Sequence, residues 1–209
     1  EHIRDYFIKT NLDKKYKDAD VLISAKIKNY GAVATKARLL EAVLYDGETK
    51  VAGATAKKTV PALKPGQEVE VTLNFPIKDP GKWTAETPKL YTTVITMNDG
   101  NNAVETLSSR TGFRNIEIKG RLFLVNGVPT KLKGVNRHEN WPDDGHAITE
   151  EQMIKDIVLI KQANCNHVRT CHYSDDPRWY ELCDEYGIYL VAEANLECHG
   201  AWDQFNEEP

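Results

Sequence analysis

Three short runs of this chain gather side chains that can move protons, grip hydroxyl groups or hold cations. "VNRHEN" carries Asn136, Arg137, His138 and Glu139. "VRTCHY" carries Arg169, Cys171, His172 and Tyr173. "EANLECHG" carries Glu193, Asn195, Glu197 and His199. An imidazole can donate or accept a hydrogen bond near neutral pH, a guanidinium favours a neighbouring carboxylate, and carboxylates and imidazoles ligate metals. Ionised groups are costly to bury, so a cluster of them at the end of an apolar strand asks for a functional reason.

Taken singly, each residue also has an ordinary structural explanation. His138 reads equally as a loop histidine and His172 as a satisfied core histidine. Glu197 and His199 form an E-x-H pair, a spacing common by chance. His138-Glu139 is no zincin motif, because the second histidine is missing at the required spacing. His146 and His167 read as structural. Cys165, Cys171, Cys183 and Cys198 form no C-x-x-C pair and read as reduced, mostly buried thiols. The coincidence of three clusters, not any one member, carries the reading of a shared site.

Elements of two kinds must position these runs. The first stretch, about 115 residues, follows strand grammar. In "VLISAKIKN", Val21, Ile23, Ala25 and Ile27 alternate with Leu22, Ser24, Lys26 and Lys28. In "EVEVTLNF", Val69, Val71, Leu73 and Phe75 do the same. Strict alternation buries one face and wets the other, as in an antiparallel sandwich. "YFIKTNL", "RLLEAVLYD", "KLYTTVITM" and "RNIEIKG" add further candidates, with turns at Asp46-Gly47, Pro65-Gly66, Pro80-Gly81 and Asp99-Gly100. About seven short strands predict an immunoglobulin-like β-sandwich, held by packing alone.

The grammar then changes. "RLFLVNGVPTKLKG" reads as a hairpin closed by Asn126-Gly127, the φ > 0 pair of a type I′ turn. Thr149 opens a helix with Gln152 completing a capping box, and Met153, Ile157 and Ile160, flanked by Ile154 and Val158, form its apolar stripe. "CNHVRT" is a short strand. Asp176 and Pro177 read as N-cap and N1 of a second helix that buries Trp179, Leu182, Cys183 and Tyr186 and stops at Gly187. "IYLVAEAN" is a strand apolar on both faces until Glu193, as in a parallel sheet. Strand, helix, strand, helix, strand is the start of a parallel α/β fold. A closed (β/α)8 barrel takes about 250 residues and only about 90 remain, which allows about three βα units. An open doubly wound sheet is the alternative, but the glycine-rich phosphate loop expected in its first βα turn is missing. In either fold ligands bind beyond the carboxyl ends of the strands, and the three polar runs follow such ends.

Composition limits the partners. The 209 residues are 41% apolar and 28% charged with a net charge of −4, giving no hint of a nucleic-acid partner. No apolar run reaches membrane-spanning length. The start, "EHIRDYFIKT", is no signal peptide and reads as a cut boundary, so cytoplasmic and periplasmic locations both stay open.

"GVNRHENWPDDG", the run from "ITEEQMIKDIVLIKQ" through "NLECHG", and the upstream "WTAETPKLY" closely resemble glycoside hydrolase family 2, specifically its β-galactosidases. The resemblance implies a two-domain organisation: an immunoglobulin-like sandwich over 1–117, then the N-terminal part of an incomplete TIM barrel over 118–209. It implies a parent enzyme, expected to be a homo-oligomer, that hydrolyses terminal β-D-galactosides with retention through two glutamates. In the family those follow the fourth and seventh barrel strands, and neither position is reached before Pro209, so the chain is expected to be inactive by itself. His138 and His172 match the two histidines that contact the galactosyl group, with Asn136 beside them as a substrate contact. Arg169 matches an arginine that supports the nucleophile. Glu197 and His199 match two ligands of an active-site Mg²⁺ whose third protein ligand is the acid/base glutamate, so magnesium should bind weakly or not at all here. Cys198 stands in place of the usual hydroxyl residue, Ser174 where proline is frequent, and Asn140 and Trp141 in a run usually richer in histidine. The alternatives are another family 2 exo-β-glycosidase, β-glucuronidase-like, and a non-catalytic carbohydrate-binding sandwich module.

Overall fold

The structure is a computed structural model that describes residues 1–196 and 200. The chain divides into two compact units, Glu1–Thr130 and Lys131–Pro209.

The first unit is built from β1 (His2–Leu12), β2 (Ala19–Lys28), β3 (Arg38–Asp46), β4 (Thr49–Val60), β5 (Glu68–Ile77), β6 (Tyr91–Asp99) and β7 (Asn102–Thr111). They form two antiparallel sheets, ordered β1-β2-β5 and β4-β3-β6-β7. This is the expected sandwich, with the fourth strand paired to the third. Side chains alternate across each strand, and the inward set forms one apolar core. Val21, Ile23, Ala25 and Ile27 of β2 meet Val71, Leu73 and Phe75 of β5 and Leu40, Leu44, Ile95 and Met97 of the facing sheet. Each fully buried aliphatic side chain contributes about 1.5–3 kcal/mol relative to exposure.

Two strands carried no clear sequence signal. β4 reads "TKVAGATAKKTV" and β7 "NAVETLSSRT". Both lie at sheet edges, where fewer positions are buried and the apolar alternation thins.

β8 (Ile116–Lys119), β9 (Leu122–Val125) and β10 (Val128–Pro129) form a small antiparallel sheet within the same unit. The β9–β10 turn is the expected one, with φ of 51° at Asn126 and 77° at Gly127. Gly127 is needed twice over, since a Cβ there would also lie 2.4 Å from the Tyr16 ring.

The second unit starts a parallel sheet. β11 (Gly134–Arg137), β12 (His167–Thr170) and β13 (Tyr189–Val191) pair in that order, all parallel. α1 (Glu150–Gln162) links the first two and α2 (Pro177–Tyr186) the last two. The β11–β12 approach is so close that a Cβ on Gly134 would fall 1.9 Å from the His167 carbonyl oxygen. Thr149 caps α1 with the reciprocal Gln152 bond, and Asp176 caps α2 through the Arg178 amide. Gly187 ends α2 at φ 77°, a left-handed conformation suited to glycine.

Met153, Ile157, Val168, Trp179, Leu182, Cys183 and Ile188 make the core of this unit. Two expected core members differ. Val158 and Tyr186 are exposed, because each sits at the margin of its helix's buried stripe.

Candidate functional site

β11 and β12 end within one register step of each other, since Arg137 pairs with Thr170. The polar residues beyond them are therefore neighbours in space. Asn136 and Arg137 lie in β11, not after it, Arg169 lies in β12 within the expected strand, and β13 stops at Val191, short of the expected "IYLVAEAN". Period-two alternation explains the outcome, because Asn136 and Arg169 are paired across the strands while Arg137, one residue on, faces the other way.

The His138 and His172 rings meet edge to face with centroids 5.4 Å apart. His138 is exposed and His172 half-buried. Arg169 donates to Glu193 through Nε and to the Asn136 side-chain oxygen through Nη1 at 3.4 Å. The second oxygen of Glu193 is 3.3 Å from Nδ1 of His172, and Arg169 Nη2 is 3.2 Å from the same nitrogen. Glu193 is fixed in turn by its backbone amide, which donates to the Thr170 hydroxyl at 3.0 Å. Strand ends of β11 and β12 and the segment after β13 thus supply one network: Asn136, Arg169, His172 and Glu193.

A second polar arm lies beside His138. The Tyr173 hydroxyl is 3.4 Å from Nδ1 of His138 and 3.5 Å from Nδ1 of His146. His146 Nδ1 is also 2.5 Å from the Glu139 carbonyl oxygen. His146 carried only a structural reading in the sequence, since nothing in its spacing tied it to Tyr173.

Under these groups sits a buried charge cluster that no sequence motif announced. Arg137 is 6% exposed and stacks on Trp179, its guanidinium carbon 3.7 Å from the ring centre. It donates to Asp175 at 2.7 Å and to Asp156 at 3.0 Å, and Glu139 is 3.8 Å away. Burial pushes the Asp175 carboxyl above the ordinary carboxylate range, with Arg137 pulling the other way. Burial likewise raises Glu139, whose carboxylate accepts the Asp176 amide at 3.0 Å. Glu139 thereby ties the loop after β11 to the start of α2.

Asn136, His138 and His172, expected as sugar contacts, and Arg169, expected to support the nucleophile, therefore lie together at the carboxyl ends of β11 and β12. Glu197 and His199, expected as magnesium ligands, and the intervening Cys198 lie outside the described residues. One carboxylate and one imidazole also fall short of the oxygen-rich octahedron that Mg²⁺ prefers.

Comparison with known proteins fits this arrangement. Residues 1–114 match the family model described as "Glycosyl hydrolases family 2", and residues 116–209 match "Glycosyl hydrolases family 2, TIM barrel domain". The chain belongs to glycosyl hydrolases family 2. Among curated relatives, a protein named beta-galactosidase from Priestia megaterium is 43% identical over 208 residues, covering 99% of this chain and 20% of the relative. A beta-galactosidase from Alteromonas mediterranea is 43% identical over 205 residues, covering 96% of this chain and 19% of the relative. The chain thus spans about a fifth of the length of the curated relatives it matches. Among solved structures, a putative beta-galactosidase from Bacteroides fragilis superposes with a TM-score of 0.82 at 28% identity, covering 90% of this chain and 28% of that one. Beta-glucuronidase 2 from Bacteroides uniformis, covalently bound to cyclophellitol-6-carboxylate aziridine, gives 0.81 at 29% identity, covering 90% and 23%. These neighbours agree with a family 2 sandwich followed by the first units of a TIM barrel.

Proposed function

We propose that the whole protein is a retaining β-galactosidase and that this chain contributes one wall of its sugar site. The single observation that carries the reading is the convergence of Asn136, His138, Arg169 and His172 on one mouth at the carboxyl ends of parallel strands. Family 2 membership and relatives named beta-galactosidase support it.

In this proposal His138 and His172 hydrogen-bond sugar hydroxyls. Such bonds contribute to rate only to the extent that they strengthen as the oxocarbenium-like transition state forms. Asn136 offers an amide for the same purpose. Arg169, already engaged with Glu193, keeps positive charge close to where a nucleophilic carboxylate would stand and favours its ionised form. The acid/base and nucleophile glutamates come from later barrel strands. Mg²⁺, if held through Glu197 and His199, would supply electrostatic stabilisation, and no step above depends on it.

The glucuronidase neighbours favour a second reading, a β-glucuronidase. A uronate carboxylate needs an unengaged cation. Among the described residues at these strand ends, Arg169 is already engaged with Glu193 and Arg137 faces away into the buried cluster, which favours a neutral sugar.

The test is hydrolysis of nitrophenyl β-galactoside and β-glucuronide by the full-length protein and by the 209-residue chain. Cleavage of the galactoside by the former and of neither by the latter is the expected pattern. His172→Ala in the full-length protein should lower kcat/KM by about 10²-fold or more, as for loss of one preorganised transition-state donor. Cleavage of the glucuronide alone, or an unaffected His172→Ala, would overturn the proposal.

A further inference from the structure

The residue after His138 is a carboxylate that burial disfavours. Arg137 and Glu139 both reach the buried charge cluster, and His138 between them is exposed. The Glu139 side chain is 13% exposed and 3.8 Å from Arg137 Nη1. Arg137 already donates to Asp175 and Asp156, so one guanidinium faces three acidic groups. Burial holds the Glu139 carboxyl above its ordinary range, although the Asp176 amide pulls it down. Such a group is a poor choice for stability alone.

What Glu139 makes is a link. Its two oxygens accept from the Asp176 amide at 3.0 and 3.2 Å. Asp176 is the N-cap of α2, its side chain accepting from the Arg178 amide at 2.8 Å. The backbone just before His138 is held as well, because the Arg137 carbonyl accepts from the Cys171 amide at 3.0 Å. His138 is therefore suspended between two fixed points, the end of β12 and the start of α2. Further along, the same loop is fastened to α1, where Gln152 donates to Asp144 at 2.6 Å. The Glu139 carbonyl also lies 2.5 Å from Nδ1 of His146, so the docking of this one residue sets where both imidazoles of the loop stand.

We infer that Glu139 is a positioning residue for His138, fixing the imidazole by docking the loop after β11 onto the N-cap of α2. The inference rests on the proposed role of His138 as a sugar contact. An exposed side chain holds a useful orientation only if its backbone is fixed, and misplacement by about 1 Å costs up to about 10²-fold in rate. A carboxamide oxygen also accepts an amide N–H, so glutamine at this position keeps the link and alanine removes it.

The test is a double-mutant cycle in the full-length protein with nitrophenyl β-galactoside. Glu139→Ala should lower kcat by about tenfold or more with KM little changed, the pattern for an interaction lost from the transition state. Glu139→Gln should recover most of that loss. In a His138→Ala background, Glu139→Ala should cost less than about twofold, because a residue acting through His138 then has nothing to position. Additive losses, or an unchanged kcat in Glu139→Ala, would overturn the inference. Hydrogen exchange on the 209-residue chain separates docking from folding. Glu139→Ala should speed exchange at the Asp176 and Asn140 amides while α1 and β12 keep their protection. Loss of protection throughout the barrel unit would assign Glu139 to the fold and equally overturn the inference. Failure of the unmutated protein to cleave the galactoside would refute the reading of the site, whereas the exchange measurement reads the docking of the loop with no sugar present.

Discussion

The sandwich and the barrel units solve the same burial problem differently. In the sandwich unit the buried Glu1 side chain pairs with Arg38 at 3.2 Å, and the other buried polar residues, among those described, are the uncharged Asn29, Thr93 and Thr111. Each of these three finds a neutral partner: Asn29 donates to the Val33 and Leu63 carbonyls, and the Thr93 and Thr111 hydroxyls lie 2.7 Å apart. The barrel unit buries Arg137 and Asp175 against Trp179, beneath the mouth. A buried ion pair adds little net stability, but removing one partner strands a charge. The sandwich is therefore a scaffold whose core repeats one interaction, while the barrel unit stakes its order on a few irreplaceable groups beside its site.

Three changes would break or sharpen that contrast. The largest effect is expected from Trp179→Ala, which removes both a fully buried ring and the face that Arg137 stacks on. It should destabilise the barrel unit by about 3–5 kcal/mol while sandwich amides keep their protection, read by hydrogen exchange. Equal loss of protection in β2 and β5 would mean that the two regions unfold as one. Next is Thr93→Val, which leaves the Thr111 hydroxyl only its long 3.5 Å bond to the Ser109 carbonyl and should cost the sandwich about 1 kcal/mol with the barrel amides unchanged.

The smallest effect is a pH slope. Burial holds His167 below its ordinary pKa of 6.5, so it is neutral in the folded unit. The unfolded chain then binds more protons as pH falls through 6.5, and stability drops until the folded pKa is passed. His167→Asn should flatten that acid-side loss in urea unfolding at pH 7 and about pH 5. An unchanged slope would show that other groups carry it.

Much of the fold was legible because its signals are local. Period-two alternation marked β2 and β5, Asn126-Gly127 marked a hairpin, and Thr149, Gln152, Asp176 and Gly187 marked helix ends to the residue. The edge strands β4 and β7 escaped, since an edge buries too few side chains to print the pattern. Within the site, Asn136, His138, Arg169, His172 and Glu193 stood out by residue type and by their place at or just past strand ends, while Glu197 and His199 lie outside the described residues. The Arg137–Asp175–Trp179 cluster was not. Its members are spread along the chain, each with an ordinary local role: a strand end, the residue before a cap, a helix stripe.

The order of elements, the helix caps and the candidate residues Asn136, His138, Arg169 and His172 follow from the sequence itself, because periodicity, capping and turn chemistry act between near neighbours. Which residues come together was decided by the parallel register that sets Arg137 beside Thr170, and with it the meeting of the His138 and His172 rings. Pairing between segments distant in the chain is a property of their packing, and no single stretch of residues encodes it.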